Sequence, residues 1–325
     1  SPQQVLERRG SQVTLGPCMS APRGPRDVFD TSPTALQRLH HPIAQRHDVA
    51  LWLKRDDQIH QDIPGNKFRK LKYNIRAAVS SDYQSVLTFG GAFSSHIFAT
   101  AHAGRLAGLG TVGVIRGEEH TPLNPILSHA RDAGMQLIYV DRQAYRKKDD
   151  VEFLDRLRSR VGDFYLIPEG GHNVAGMQGC MEIVEEIAVP FDCIVTACGT
   201  GTTLAGLAAA VDSHQSALGI AVLRGGTFLN TNVSQLLADG LHAPRGYWSL
   251  ETSFAFGGFA KVPLSVAKFI EEFQSKFGIQ LDPIYTGKAM LATLTLIDAG
   301  QFPEGSVVVF VHTGGIPKYQ WSSLV

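Results

Sequence analysis

The sequence has no surplus charge of either sign: 30 Lys and Arg balance 30 Asp and Glu. Nucleic acids and anionic membrane surfaces attract proteins through excess Lys and Arg, so neither partner is expected. No apolar run approaches the ~18 residues that a membrane span needs. Cysteine is scarce, at Cys18, Cys180, Cys193 and Cys198. There is no Cys-x-x-Cys and no Cys/His grouping at zinc spacing, so no metal site is expected. These cysteines read as reduced, small core residues, although Cys198 lies beside a glycine-rich loop where it could touch a ligand. Residues 1–30 lack a basic segment followed by an apolar one, so they do not read as a secretory signal. They read as an extended N-terminal arm, and a cytoplasmic location is expected.

What is abundant is glycine, at 33 of 325 residues, above the average share of ~7%. It follows no repeat, which excludes collagen-like and low-complexity readings. Five Gly-Gly pairs stand out: Gly90-Gly91, Gly170-Gly171, Gly225-Gly226, Gly257-Gly258 and Gly314-Gly315. The length suggests roughly two domains at ~150 residues each.

Strand-like and helix-like patterns alternate along the chain. Strands are expected at 50–55, 85–89, 111–115, 136–140, 164–167, 193–197, 217–223 and 306–311. Helices are expected at 66–81, 95–107, 124–133, 149–160, 174–187, 203–211, 263–277 and 287–298. Such alternation implies βαβ crossovers and mostly parallel sheets covered by helices on both faces, an α/β fold. Four of the Gly-Gly pairs fall just after an expected strand, the pair at 257–258 being the exception. Ligands of open α/β sheets sit at the carboxyl ends of strands, and glycine there lets backbone approach them closely. Tight turns alone are the plainer explanation for any single pair.

Several motifs could carry chemistry. Cys198-Gly199-Thr200-Gly201-Thr202-Thr203-Leu204-Ala205-Gly206 joins an apolar strand to a helix of small residues. Its N–H groups and hydroxyls suit a phosphate; tight helix–strand packing is the alternative. It is neither a Walker A loop nor a dinucleotide fingerprint, because no Gly-Lys-Ser/Thr follows and Leu204 stands where a third Gly should. Gly65-Asn66-Lys67-Phe68-Arg69-Lys70-Leu71 sets a lysine just inside a helix start, where the positive dipole end disfavours its charged form. A neutral amine suits Schiff-base chemistry, whereas an ordinary surface lysine is the bland reading. Gly90-Gly91-Ala92-Phe93-Ser94-Ser95-His96 could bind a carboxylate or cap a helix. Asp282-Pro283-Ile284-Tyr285-Thr286-Gly287-Lys288-Ala289-Met290 and His312-Thr313-Gly314-Gly315 identify no function alone.

Together, in this order and spacing, the segments LKRDD (53–57), GNKFRKL (65–71), TFGGAFSSH (88–96), PEGG (168–171), CGTGTTLAG (198–206), DPIYTGKAM (282–290) and HTGG (312–315) resemble one family. It is the 1-aminocyclopropane-1-carboxylate deaminase / D-cysteine desulfhydrase group of pyridoxal-phosphate enzymes. That group has the tryptophan-synthase-β-like fold, called fold type II, and the resemblance runs from about Pro33 to Pro317. It implies two three-layer α/β/α domains with mostly parallel sheets: a large cofactor-binding domain of 31–72 plus 168–325, and a small one of 73–167. It implies a homodimer, a small amino-acid substrate and pyridoxal 5'-phosphate as cofactor. Lys67 would hold the cofactor covalently and move the proton at the substrate Cα. Gly199, Thr200, Gly201, Thr202 and Thr203 would cradle its phosphate. Ser95 stands where relatives usually carry Asn against the ring hydroxyl. Thr286 or Thr313 would face the ring nitrogen. Asn66, Ser94, Ser95, His96 and Tyr285 would line the substrate side, His96 helping to hold the carboxylate and Ser94 and Tyr285 acting in catalysis.

Position 286 separates the activities. The deaminases place Glu after the matching Tyr, whereas the desulfhydrase-like members and this chain have Thr. A hydroxyl draws electrons into the ring less strongly than a protonating carboxylate arrangement. That suits α,β-elimination, where a leaving group takes the electrons, better than cyclopropane opening. The deaminases also carry a Tyr in a Gly-Tyr-Gly context where this chain has Gly258-Phe259-Ala260. The expected activity is therefore a lyase forming pyruvate and ammonia. The alternatives are 1-aminocyclopropane-1-carboxylate deamination to 2-oxobutanoate and a non-catalytic homologue that binds cofactor or amino acid. A sugar- or nucleotide-phosphate binder would leave Lys67 unexplained.

Overall fold

In a computed structural model of the chain, residues 28–254, 256–258 and 261–315 are described. Most of the N-terminal arm, Cys18 and Phe259 lie outside them. In chain order the elements are β1 (Leu36–Arg38), α1 (Pro42–Arg46), β2 (Ala50–Lys54), α2 (Asn66–Ser80), β3 (Ser85–Gly91), α3 (Ser95–Ala107), β4 (Gly110–Arg116), α4 (Pro125–Asp132), β5 (Met135–Val140), α5 (Arg142–Tyr145), α6 (Val151–Val161) and β6 (Tyr165–Ile167). They continue with α7 (Val174–Glu185), β7 (Cys193–Cys198), α8 (Thr202–Ala210), β8 (Ser216–Ala221), α9 (Phe228–Asp239), β9 (Tyr247–Glu251), α10 (Leu264–Phe277), α11 (Thr286–Asp298) and β10 (Val307–Val311). The expected strands and helices all form, within a few residues. The short β1, α1, α5 and β9, and the longer α9, are additional.

The strands build two sheets. One has six strands in the order β1-β2-β10-β7-β8-β9, and the other four in the order β5-β4-β3-β6. Every pairing is parallel except β1 with β2. Parallel strands buried on both faces read as continuous apolar runs, and every residue of β7 (CIVTAC) is buried. Alternate residues of the six-stranded sheet feed two cores. Val195, Phe310 and Leu53 pack with α10 and α11, whereas Ile194, Val309 and Val311 pack with α7, α8 and α9. The smaller sheet does the same. Val86 faces α2 and α3, while Leu87 and Phe89 face α6. Helices therefore cover both faces of each sheet.

Helix α2 links the two sheets. Phe68, Leu71, Ile75 and Ala78 recur at helical spacing and are buried against Val86 and Ala99 of the smaller sheet's side. The opposite side meets α7, where a Cβ on Gly179 would stand 1.8 Å from the Arg69 carbonyl oxygen. A glycine at that crossing lets the two backbones touch. The expected domain boundary at 72/73 falls inside this unbroken helix.

Beneath α2 lies a buried ion network. Arg69 donates from Nε and Nη2 to Asp56 at 3.1 and 2.9 Å, and from Nη1 and Nη2 to Glu186 at 2.5 and 2.8 Å. Lys54 Nζ also donates to Glu186, at 2.5 Å, and to the Thr34 hydroxyl. Burial alone would raise the Glu186 carboxyl, but the bonds from Arg69 and Lys54 outweigh it and hold the pKa at about 2. No helix among the described residues is long and apolar enough to cross a membrane.

Candidate active site

Five strand ends converge on one cleft. Gly90 and Gly91 end β3 and Arg116 ends β4, while Glu169 follows β6, Gly199 follows β7 and Thr313 follows β10. The Gly90-Gly91 pair thus terminates its strand rather than following it. A cavity of about 420 Å³ is lined by Asn66, Lys67, Lys70, Ser95, Gly199, Thr200, Gly201, Thr203, Tyr285 and Thr313 among others. A second, of about 280 Å³, shares Lys67, Ser95, Arg116, Glu169, Thr200 and Tyr285 with it and adds Ser94 and His96. Ligands at the carboxyl ends of parallel strands are the rule for such sheets.

Lys67 is the second residue of α2, and its helix start is built by neighbours. Gly65 has φ +51°, and a Cβ there would stand 1.8 Å from the Thr313 carbonyl oxygen. That carbonyl accepts from the Asn66 N–H at 3.1 Å. The Lys67 amine opens on both cavities yet is surrounded by protein. Burial first, and then the neighbouring Lys70, push its pKa well below the ordinary lysine value, with Glu169 opposing. The direction is the expected one, with desolvation as the leading cause and a second cation next.

The glycine-rich turn opens α8 at Gly201, φ +88°, with no side-chain cap. The first-turn N–H groups are therefore left for a guest. Gly199 is where Tyr285 approaches: a Cβ there would stand 3.1 Å from the Tyr285 Cε1. Thr200 and Thr203 line the cavity. Thr202 does not; its hydroxyl bonds His172 Nδ1 at 2.9 Å and the Thr200 hydroxyl at 3.1 Å, inside the protein. Burial, then Lys70, takes the His172 pKa down to about 4, so this ring is neutral near pH 7.

Ser94 caps α3, its Oγ accepting from the Ile97 N–H at 3.3 Å. The capping reading of this motif therefore holds, and Ser94 also lines the smaller cavity. Ser95 lines both cavities. His96 is buried, with Nε2 2.9 Å from the Thr88 hydroxyl and Nδ1 unpartnered. Burial, followed by Lys67 and Lys70, keeps its pKa well below normal. Burial, then Asp282 and Glu169, pushes the Tyr285 phenol up, so it stays protonated.

The two threonines expected at the ring nitrogen part company. Thr313 lines the larger cavity. Thr286 is fully buried behind the wall, its hydroxyl donating to Asp282 Oδ2 at 2.8 Å and accepting from the Asp282 N–H at 2.8 Å. The Asp282 carboxylate that holds it is itself buried, behind Gly315.

The sequence did not single out Lys70, Arg116 or Glu169 as site residues. Lys70 is one helical turn from Lys67 on the same face, a signal that was available. Its buried amine lines the anion cup, and burial lowers its pKa. Cys198 also lines the cup, as expected, but burial pushes its thiol up to about 12, which makes it inert near pH 7. Cys180, Cys193 and Cys198 are free and buried.

A half-buried lysine amine of lowered pKa, sharing one cavity with an uncapped helix start, a basic neighbour and a hydroxyl-lined wall, defines an enzyme that holds a phosphorylated carbonyl cofactor. The donor set fits pyridoxal phosphate: a nucleophilic amine at Lys67, the N–H groups and hydroxyls of the 199–203 turn with Lys70 for the phosphate, and a cavity of about 420 Å³ that they line together. The chain belongs to the pyridoxal-phosphate dependent enzyme family, which it matches over residues 29–314. It is 32% identical over 305 residues to a putative 1-aminocyclopropane-1-carboxylate deaminase of Pyrococcus horikoshii, covering 87% of this chain and 89% of that one. It is 30% identical over 311 residues to the bifunctional D-cysteine desulfhydrase/1-aminocyclopropane-1-carboxylate deaminase of Arabidopsis thaliana, a mitochondrial protein, covering 87% and 76%. A crystal structure of an ACC deaminase homologue superposes with a TM-score of 0.79 at 29% identity, covering 90% and 93%. The two flanked, mostly parallel sheets are thus those of fold type II pyridoxal-phosphate enzymes, as the resemblance implied.

Proposed function

We propose that this enzyme catalyses α,β-elimination on a small amino acid, in the manner of D-cysteine desulfhydrase, releasing pyruvate, ammonia and the leaving group. The observation that carries this reading is that Thr313 lines the cavity that holds Lys67, while Thr286 and Asp282 are bonded to each other outside its lining. When bound, pyridoxal phosphate supplies an electron-withdrawing ring that stabilises negative charge at the substrate Cα. A hydroxyl at the ring nitrogen tempers that withdrawal and favours a reaction in which a leaving group takes the electrons promptly.

In this reading Lys67 holds the cofactor and then takes the Cα proton, for which its depressed pKa supplies a neutral amine. Gly199, Thr200, Gly201, Thr203 and Lys70 hold the phosphate. Thr202 contributes its backbone N–H, since its hydroxyl is engaged with His172. Ser95 faces the cofactor from the α3 start and shares the substrate side with Asn66. Ser94 uses its Oγ to accept from Ile97, which leaves its proton free to donate. His96 is neutral and donates from Nε2 to the Thr88 hydroxyl, which itself donates to the Ile167 carbonyl, so its bare Nδ1 accepts a hydrogen bond and is not the carboxylate's partner. Tyr285, kept protonated, donates to the leaving group. The small unit, 73–167, closes over the substrate against the large one. A cytoplasmic homodimer is the form we expect, which sizing of the purified protein checks.

The test offers D-cysteine, L-cysteine and 1-aminocyclopropane-1-carboxylate to the cofactor-loaded enzyme and measures pyruvate and 2-oxobutanoate. Pyruvate from a cysteine, with little 2-oxobutanoate, supports the proposal. Robust 2-oxobutanoate from the cyclic substrate overturns it in favour of deamination. A coloured protein that turns over no amino acid in a D and L panel overturns it in favour of a binding role.

A further inference from the structure

Elimination of a simple thiol leaves a group of arginines beside the cleft unused. Arg116 is the last residue of β4, Arg142 opens α5 and Arg146 follows its end. With Tyr145 they line a cavity of about 380 Å³. Arg116 also lines both cavities that contain Lys67. It is the wall that the reaction cleft and the arginine-lined cavity share.

Arg116 is placed by packing. Its backbone pairs in register with Gly91. Its guanidinium folds over that glycine, where an added Cβ would stand 3.4 Å from Nη2. The same guanidinium lies 5.5 Å from the centre of the Tyr145 ring, and that ring is buried. A planar guanidinium held against an aromatic face is pre-organised for a carboxylate.

The local charge is unbalanced. Among the described residues, no carboxylate lies within 4.0 Å of Arg116, Arg142 or Arg146. Glu169 lines the same cleft but has its own cation, Lys148, at 3.9 Å. The cleft thus has an acid with a cation nearby and a guanidinium, Arg116, with no carboxylate, on the wall it shares with the cavity of Arg142 and Arg146.

We propose that Arg116 reads an anionic group at the far end of the substrate's β-substituent, with Arg142 and Arg146 extending the positive rim around it. The substrate class is then a β-substituted alanine whose leaving group carries a carboxylate, such as S-carboxymethylcysteine. This rests on the elimination reading above and narrows it. The Cβ–S bond breaks, its electron pair leaves with sulfur, and sulfur gains a proton. With one water consumed, S-carboxymethylcysteine becomes pyruvate, ammonia and mercaptoacetic acid, with no change of oxidant or reductant.

The experiment compares S-carboxymethylcysteine with its neutral counterpart S-carbamoylmethylcysteine, each as D and L forms, on the cofactor-loaded enzyme. The wild type is expected to prefer the acid in kcat/KM by about tenfold or more, the scale of one charged hydrogen bond. In Arg116→Gln that ratio should fall to about one, mainly through KM. Arg116→Lys, which keeps the charge but not the fork, should retain part of the preference. Arg142→Gln combined with Arg146→Gln should reduce it less than Arg116→Gln does. Equal use of acid and amide by the wild type, or a preference that survives Arg116→Gln, overturns the proposal while leaving elimination intact. Calorimetry of both compounds separates the two readings. Tighter binding of the acid, lost in Arg116→Gln and without turnover of either compound, would reject elimination and keep the anion site. Equal binding without turnover rejects both.

Discussion

Asn66 donates from Nδ2 to the Thr203 hydroxyl at 2.9 Å, across 137 residues of sequence. The bond ties the residue before Lys67 to the first turn of the phosphate cup. In the proposed reading, covalent attachment and phosphate binding act on one rigid molecule, so the separation between their two anchors has to be fixed. The Asn66 amide fixes it, while the Thr313 carbonyl, accepting from the Asn66 N–H, holds the start of α2 against the end of β10. Asn66→Ala should therefore weaken cofactor retention by about tenfold, the worth of one buried hydrogen bond with a partner left behind. Cofactor loss on dialysis, followed by colour, checks this; unchanged retention would reject the role.

Lys67→Ala should abolish both the colour of the purified protein and its turnover. The wild-type amine has a pKa well below 10.5, and its neutral, nucleophilic form dominates above that lowered value. Loading of apoprotein with pyridoxal phosphate should thus reach its plateau rate at a pH well under 10.5. A rate that keeps climbing to that pH would show an ordinary, exposed lysine.

Gly65→Ala should unfold the site rather than merely alter it. The position has φ +51°, and the new Cβ would meet the Thr313 carbonyl carbon at 2.4 Å. Strain of this kind in a buried turn costs a few kcal/mol. Urea unfolding should show a lowered midpoint, together with poor cofactor uptake. A midpoint equal to wild type would mean that the turn yields without cost.

Glu186 predicts an acid-sensitive fold. Its folded pKa of about 2 lies below the ordinary carboxyl value of 4.5, so its ionised form stabilises the native state above about pH 4.5. That contribution is lost as the pH falls from there toward 2, and it amounts to at most about 3 kcal/mol. Glu186→Gln should be much less stable than wild type near neutral pH, and the gap should close near pH 2. Arg69→Met should be worse, because it removes the guanidinium's bonds to both carboxylates and leaves Asp56 and Glu186 to share the Lys54 cation. A stability gap for Glu186→Gln that does not change with pH would contradict the network's charge.

Tyr285→Phe should keep the cofactor, since the ring still fills the space beside Gly199. Its kcat should fall by about a hundredfold if the phenol protonates the leaving group. The fall should be smaller for a substrate whose leaving group needs no proton. An equal fall for both would assign Tyr285 to positioning.

The sequence by itself determined the strand–helix alternation, because buried parallel strands such as CIVTA and VVVFV must be continuously apolar. It also marked Lys67, the turn at 199–203 and the Ser94–His96 loop, whose chemistry depends on neighbours within a few residues. Helix α9 escaped it because Asn230, Thr231 and Asn232 interrupt an otherwise helical apolar spacing. Strand β9 escaped it because an edge strand, half exposed, shows neither clean alternation nor a buried run. Tertiary structure alone decided which threonine reaches the cavity. Thr286 and Thr313 look equally available in one dimension, yet Asp282 binds the Thr286 hydroxyl and leaves Thr313 on the wall. It also brought Arg116 and Glu169 to Lys67, since the ends of β4, β6 and the start of α2 meet only when the two sheets stand on either side of one helix. Local pattern follows from burial along each segment, whereas the electrostatics of the site follow from distances between segments, which no local pattern encodes.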